Sequence, residues 1–481
     1  MSDKNLTGYP SIDKPWLKYY NEDTKHFDKS KSIYQNFREI ASKNMAQLVY
    51  VEQTTGKKVT YGELLSKADS LAKALIEKRI GNGSRVGLLT FYSDMEPAVI
   101  FAANKIGAIV KMVSPDLTGK ELRKSISDLD ILFVDSCFMF FEKVIRQVNI
   151  LTVWNTDTLV FESERYCIYS ELIYQKDGDI DRIFEECAEK PAIIIYSSGT
   201  TGVAKPIVHS NYSVLSAIEK MLNSDFPIGP QNYILKVIPS HIGLGSVTTM
   251  LTSILGQSTY ISIKPEGFDR PPESTVKLLI NYRTFVAENG LDPEKGLLFF
   301  ASPLFSLVVF QCIELVDDLS FLNGVLLAGA KMHKEQLDAL DAAFAEKGLS
   351  VPLCNGYGQN EMCGAISLNT VNHNKNGTAG YPVKGVDIRI IDEKTHLEKT
   401  YNEVGLIIEQ SESSFMDTAH KLCMEIVRTD DISILESDKK SYKTAVLYAV
   451  AFLYENREKP DYNLMKLTLR ALLANYRAEG F

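Results

Sequence analysis

The sequence predicts an α/β protein: a large multi-subdomain N-terminal part with parallel-rich sheets flanked by helices, a small β subdomain, and an α+β C-terminal part. Three observations predict it. Apolar strand-like runs alternate with helix-like periods along most of the chain, glycines punctuate the junctions, and between about 380 and 440 the pattern changes to short alternating runs.

The elements follow in order. "KKVTYGELLSKADSLAKALIEK" opens with a strand that enters a helix, on which Leu64, Ala68, Leu71, Leu75 and Ile76 recur at helical spacing. Gly81 and Gly83 are expected to end that helix. "RVGLLTF" has strand character, and "EPAVIFAANKIGAIVKMVSP" repeats the order helix, glycine, strand. "ILFVD" (131–135), "AIIIY" (192–196), "TYISI" (259–263) and "GVLLAG" (324–329) read as strands, and "NYSVLSAIEKML" (211–222) as a helix. "LLFFASPLFSLVVF" (297–310) is too short to span a bilayer and contains Pro303, so it reads as a buried strand and helix pair. "VDIRIID" and "GLIIEQ" supply the β subdomain. The stretch 444–481 reads as strand, loop and amphipathic helix.

Composition narrows the class. The 481 residues suffice for a large core and more than one domain, and 45% hydrophobic with 23% charged residues is an ordinary globular balance. A net charge of −9, with no basic run, disfavours nucleic acid as a partner. Seven scattered cysteines without a CxxC read as reduced intracellular thiols in structural roles; Cys354 and Cys363 have no nearby histidine to complete a metal-ligand spacing. The N-terminal stretch is polar and broken by prolines, unlike a signal peptide, and no membrane span is expected, so a cytoplasmic location is.

Chemistry concentrates first in "YSSGTTGVAKPIVHS" (196–210). A phosphate needs several donors converging on its oxygens. Glycines such as Gly199 and Gly202 let backbone N–H groups approach; Ser197, Ser198, Thr200 and Thr201 add hydroxyls; Lys205 adds a mobile positive charge. The G-x4-G-K-[ST] spacing is absent, so this is no Walker loop. A surface turn is the competing reading. The strand just before it favours a ligand, because open α/β sheets bind ligands at strand ends.

These residues resemble the phosphate-binding signature of the adenylate-forming superfamily: acyl- and aryl-CoA ligases, luciferases and the adenylation domains of peptide synthetases. The usual signature has proline before the lysine and glycine after it; here Ala204 and Pro206 stand there. Further segments resemble the family in its order over residues from about 30 to 435: "VTYGELL", "NKIGAIVKMVSP", "VIPSHIGLGSVTTMLTSILGQSTY", "GVLLAGAKM", "NGYGQNEMCG", "GTAGYPVKGVDIRIID" and "VRTDDISIL". The resemblance implies ATP and Mg²⁺ as cofactors, a small carboxylic acid as substrate, and coenzyme A or a phosphopantetheine-bearing acyl carrier protein as thiol acceptor.

The same resemblance assigns roles. Gly329, Ala330 and Lys331, with Asn355, Gly356, Tyr357 and Gly358, would surround the adenine, Tyr357 offering a flat ring. Glu361 would hold Mg²⁺ with Thr200, since Mg²⁺ takes few carboxylates plus phosphate oxygens. Asn360 replaces the family's threonine and keeps an amide that can donate to a phosphate oxygen. Asp431 would accept the ribose hydroxyls, with Asp430 where the family has glycine. His241 would gate the carboxylate; taken alone it reads as a satisfied core histidine. Lys205, His241, Asn360 and Glu361 are thus the expected catalytic set. The pocket segment holds no aspartate to pair an α-ammonium, which implies an aryl or fatty acid without an α-amine.

The resemblance also divides the chain, with residues 1–431 as the large domain and 432–481 as a reduced C-terminal lid. After Asp431 the family continues with a "GR.D..K..G" hinge and ends near a "P.T..GK" lysine; neither is found here. The expected reaction is ATP-dependent activation of the acid to an acyl-adenylate, then transfer to a thiol. The alternative is a nucleotide- and acid-binding relative without efficient turnover.

Overall fold

The computed structural model describes residues 6–20, 25–90, 93–117, 119–156, 165–174, 189–197, 205–263, 271–392, 394–395, 397–401, 403 and 405–411. The expected strand, loop and helix of 444–481, and the expected boundary at 431, lie outside them.

Alternation of apolar strands with helices has the consequence expected of it. Two parallel-rich sheets form within the unit Pro15–Lys384. One has nine described strands, in the order Tyr381–Pro382, Gly364–Leu368, Leu353–Gln359, Leu322–Leu327, Gly296–Ala301, Asn232–Lys236, Thr259–Ser262, Leu48–Glu52 and Lys58–Thr60. Its six central strands are parallel, and antiparallel pairing is confined to the two margins. The other has seven, in the order Tyr166–Ile168, Leu151–Asn155, Ile131–Asp135, Arg85–Leu89, Ile109–Met112, Pro191–Tyr196 and Pro206–Ser210, and only the last pair is antiparallel. Strands buried on both faces read as continuous apolar runs, as "GLLFFA" does: every residue of Gly296–Ala301 is buried.

The helices are capped by their sequences. Tyr61–Glu77 begins with a capping box in which the Thr60 hydroxyl accepts the Glu63 N–H and the Glu63 carboxylate accepts the Thr60 N–H. Its end differs from expectation. Neither Gly81 nor Gly83 terminates it; Arg79 takes the left-handed conformation at φ 64°, and the Ile80 N–H returns to the Leu75 carbonyl at 2.9 Å. The chain turns as soon as Ile80 can be buried, and Gly83 (φ 78°) shapes the following turn instead. Ile76, counted on the apolar stripe, is 36% exposed.

The helix Met95–Lys105 is buried on every face. Its polar residues are therefore paired. Lys105 Nζ lies 2.9 Å from Asp69, and Asn104 donates to Asn211 at 2.8 Å.

Residues 1–14 and 385–481 group as a second unit. Among its described residues, Val386–Ile391 pairs antiparallel with Leu406–Ser411, as the alternating runs predict. The short helix Pro10–Asp13 is tied to this hairpin region: Lys14 Nζ meets Asp387 at 2.6 Å and the Ser11 hydroxyl donates to Glu398 at 2.7 Å. Among the described residues no helix is long and apolar enough to cross a membrane.

Candidate active site

The site residues sit where parallel strands end. In the seven-stranded sheet, Pro191–Tyr196 and Pro206–Ser210 form a hairpin whose register pairs Tyr196 with Pro206. Beyond that pair the Ser197 N–H donates to the Lys205 carbonyl at 2.9 Å, and the Lys205 N–H donates to the Ser197 hydroxyl oxygen at 3.2 Å. These two bonds close the neck of the loop. The Lys205 side chain is exposed, with no partner among the described residues. Ser198, Gly199, Thr200, Thr201 and Gly202 lie outside the described residues, as does Asp431.

In the nine-stranded sheet, Leu353–Gln359 carries Asn355, Gly356, Tyr357 and Gly358, and a 3₁₀ turn Asn360–Met362 follows. Gly358 cannot carry a side chain, because a Cβ there would stand 2.4 Å from the Gly364 carbonyl oxygen of the neighbouring strand. Tyr357 is half-buried and its hydroxyl accepts from Gln359 Nε2 at 2.6 Å. Glu361 is exposed and has no side-chain partner among the described residues. Gly329, Ala330 and Lys331 follow the strand Leu322–Leu327 and are exposed; Gly329 is left-handed at φ 93°.

Asn360 draws these pieces together. Its Nδ2 donates to the Tyr196 carbonyl at 2.7 Å, and its Oδ1 accepts the Gly243 N–H at 3.0 Å. One side chain thus joins the end of the strand Pro191–Tyr196 to the segment that follows Asn232–Lys236. The expected amide donor is therefore engaged by the protein, since one Nδ2 hydrogen is given to the Tyr196 carbonyl.

His241 lies on that segment. It is half-buried, and its Nε2 stands 3.7 Å from the exposed Asp116 carboxylate, which follows the strand Ile109–Met112 of the other sheet. Burial lowers its pKa below the ordinary histidine value against the opposing pull of Asp116 and Glu96. The ring is therefore neutral at neutral pH. The chain then enters a π-helix, Leu244–Leu251, whose wider turn lets the Thr249 hydroxyl reach the Leu244 carbonyl and the Thr252 hydroxyl the Val247 carbonyl, each five residues back. Gly245 permits the entry, since a Cβ there would meet the Pro239 carbonyl oxygen at 2.2 Å.

Two groups escape sequence reasoning. His209 is buried on the hairpin strand and its Nε2 contacts the Asn360 carbonyl at 2.8 Å, so Nε2 carries the proton and donates; burial pushes its pKa down to about 4. Glu96 is the second. It accepts Lys236 Nζ at 2.7 Å and the Ser240 hydroxyl at 2.9 Å on one oxygen, and the Thr90 hydroxyl at 2.6 Å on the other. All four residues are buried. The signal was present as a lysine inside "YILKVIP" and a glutamate inside "MEPAVIF", two charges of opposite sign in apolar runs.

The chain belongs to the family of AMP-binding enzymes, whose model matches residues 37–416. Among characterised proteins it is similar to the peroxisomal OPC-8:0-CoA ligase 1 of Arabidopsis thaliana, 26% identical over 73% of this chain and 61% of that ligase. It is also similar to the 4-chlorobenzoate–CoA ligase of an Arthrobacter species, 24% identical over 68% of this chain and 58% of the relative. The match thus spans about three fifths of the length of these ligases. The fold is shared with the benzoate CoA ligase of Burkholderia xenovorans LB400, at TM-score 0.67, 16% identity, and coverage of 80% of this chain and 72% of the other. It is shared also with the N-terminal domain of FACL13 from Mycobacterium tuberculosis, at TM-score 0.65, 22% identity, and coverage of 79% and 89%.

Proposed function

We propose that this chain uses ATP to activate a carboxylic acid without an α-amine, aryl or fatty, to an acyl-adenylate, and passes the acyl group to the thiol of coenzyme A. The observation that carries this reading is Asn360. It ties the strand Pro191–Tyr196 to the His241 segment, while Lys205 at the neck of the loop and Glu361 next to Asn360 are exposed with no side-chain partner among the described residues. The names of the matched relatives, which join acids to CoA, support it.

In the activation step a carboxylate oxygen attacks the α-phosphorus of ATP, the new O–P bond forms, and pyrophosphate leaves with the electron pair of the broken P–O bond. Two anions must approach, so charge must be neutralised and the reactants held in line. Lys205 would lie on the phosphates. Glu361 fits a Mg²⁺ ion, which needs only one or two carboxylates besides phosphate oxygens and would draw charge from the leaving group. Neutral His241 would shield the acid carboxylate without quenching it as an imidazolium. The thiol sulfur then attacks the acyl carbon, AMP leaves, and the thiol proton goes to solvent. A cytoplasmic setting belongs to this reading; imaging of the tagged chain tests it, since one relative is named as peroxisomal.

The test is acid-dependent exchange of labelled pyrophosphate into ATP across aryl and fatty acids. Exchange is expected with at least one acid, and Lys205→Ala and Glu361→Ala are each expected to slow it by about 10²-fold or more. Measurable ATP binding with no exchange for any acid would establish a binding protein instead. Exchange surviving both substitutions would remove these two residues from the site.

A further inference from the structure

We infer that Ser240 and the buried Glu96–Lys236 pair are positioning groups that hold His241 at the acid-binding end of the site. The inference rests on the acid-activating reading above for what His241 faces, and on geometry alone for the anchoring.

A carboxylate and an ammonium buried together lose hydration worth several kcal/mol each, and an apolar pair of similar volume often stabilises a fold as well or better. Stability alone therefore does not account for Glu96 and Lys236, which are 1% and 0% exposed. Direction does. Glu96 is the second residue of the helix that follows strand Arg85–Leu89 of the seven-stranded sheet, and Thr90 comes from the end of that strand. Lys236 is the last residue of a strand in the nine-stranded sheet, and Ser240 lies four residues beyond it. Three hydroxyl and ammonium donors converge on one carboxylate, so the Ser240 end of the segment is pinned to the opposite sheet.

Three residues past Ser240, the Gly243 N–H is pinned by Asn360. His241 thus lies between two fixed points, and only Ile242 stands with it between them. Without the first anchor no side-chain tie to the opposite sheet would hold Ser240, leaving the strand end at Lys236, the local bond from the Ile242 N–H to the Pro239 carbonyl and the Gly243 tie to fix the stretch, of which Ile242 is already 37% exposed. Holding a segment at both ends removes the motion that would otherwise be lost on binding.

Ser240→Ala deletes one hydroxyl and little volume. It is expected to raise the KM for the acid about tenfold in pyrophosphate exchange, with kcat and the KM for ATP within about twofold of the parent. Glu96→Gln, which keeps the shape and one acceptor, is expected to act in the same direction. A purely structural role would lower the folded fraction and leave both KM values in place. An acid KM unchanged in Ser240→Ala, or an ATP KM that rises with it, overturns the inference. Amide hydrogen exchange supplies a readout independent of turnover. Residues 237–243 are expected to exchange about tenfold faster in Ser240→Ala, with 191–197 unchanged. Unaltered protection of 237–243 overturns the anchoring, whatever the activity. If the parent exchanges pyrophosphate with no acid, the acid-activating reading falls, and hydrogen exchange by itself decides whether Ser240 is an anchor.

Discussion

His209 donates its Nε2 proton to the Asn360 carbonyl from a position 1% exposed, and burial sets its protonation state. Its folded pKa, about 4, is below the ordinary 6.5, so between those values the unfolded chain binds the extra proton. Stability from neutral His209 is therefore complete above about pH 6.5 and is lost as the pH falls towards 4. At about 1.36 kcal/mol per pH unit the loss approaches roughly 3 kcal/mol. His209→Gln can still donate to Asn360 but does not titrate. The fall in melting temperature between pH 7 and pH 4.5 should be several degrees smaller in that variant than in the parent, by calorimetry. Equal falls would show that the imidazole is not the titrating group. The same residue shows the limit of a one-dimensional reading. Its partner is 151 positions away, so nothing beside it in "KPIVHS" separates a core histidine from a group that steadies the site. Lys205 could be proposed from its neighbours, the glycines and hydroxyls that ligand-binding loops require, and Glu361 only from the family resemblance of "NGYGQNEMCG".

Helix existence was legible from apolar spacing, and helix ends were not. "EKRIGNGS" offers two glycines, yet Arg79 adopts φ 64° because burial of Ile80 fixes where the chain must turn. A left-handed arginine costs what glycine would not, so Arg79→Gly should stabilise the protein by about 0.5–1 kcal/mol, less the entropy that glycine adds to the unfolded chain. Thermal denaturation checks this, and a destabilised Arg79→Gly would mean that the arginine side chain contributes more than its backbone strain removes. The π-helix Leu244–Leu251 was hidden for a different reason. Over eight residues the sequence "LGSVTTML" fits an α-turn and a π-turn equally, and the wider winding shows only in the bonds that reach five residues back, from the Thr252 N–H and hydroxyl to the Val247 carbonyl and from the Thr249 hydroxyl to the Leu244 carbonyl.

The two sheets of Pro15–Lys384 meet through polar ties as well as apolar packing, and these ties were invisible in the sequence because each joins residues far apart in the chain: Glu96 and Lys236 are separated by 140 positions, Tyr196 and Asn360 by 164. The parallel sheets themselves were legible, since buried apolar runs such as Arg85–Leu89, Ile109–Met112 and Ile131–Asp135 are each followed by a helical segment. A tie of opposite charges makes a distinct prediction at this scale. Removing one partner strands the other as an uncompensated buried charge, whereas removing both charges leaves no ion stranded. Lys236→Met alone should therefore cost about 3–5 kcal/mol of stability. Adding Glu96→Gln should recover most of that, because the amide is neutral and its oxygen still accepts from Ser240 or Thr90. Chemical denaturation of the two single variants and the double variant measures the coupling. A double variant as unstable as the sum of the singles would mean that the charges do not interact, and that Glu96 serves Ser240 and Thr90 alone. Recovery of stability without recovery of the acid KM would separate the two consequences of the pair: the charges balance each other in the fold, while the direction they impose on Ser240 is what the site uses.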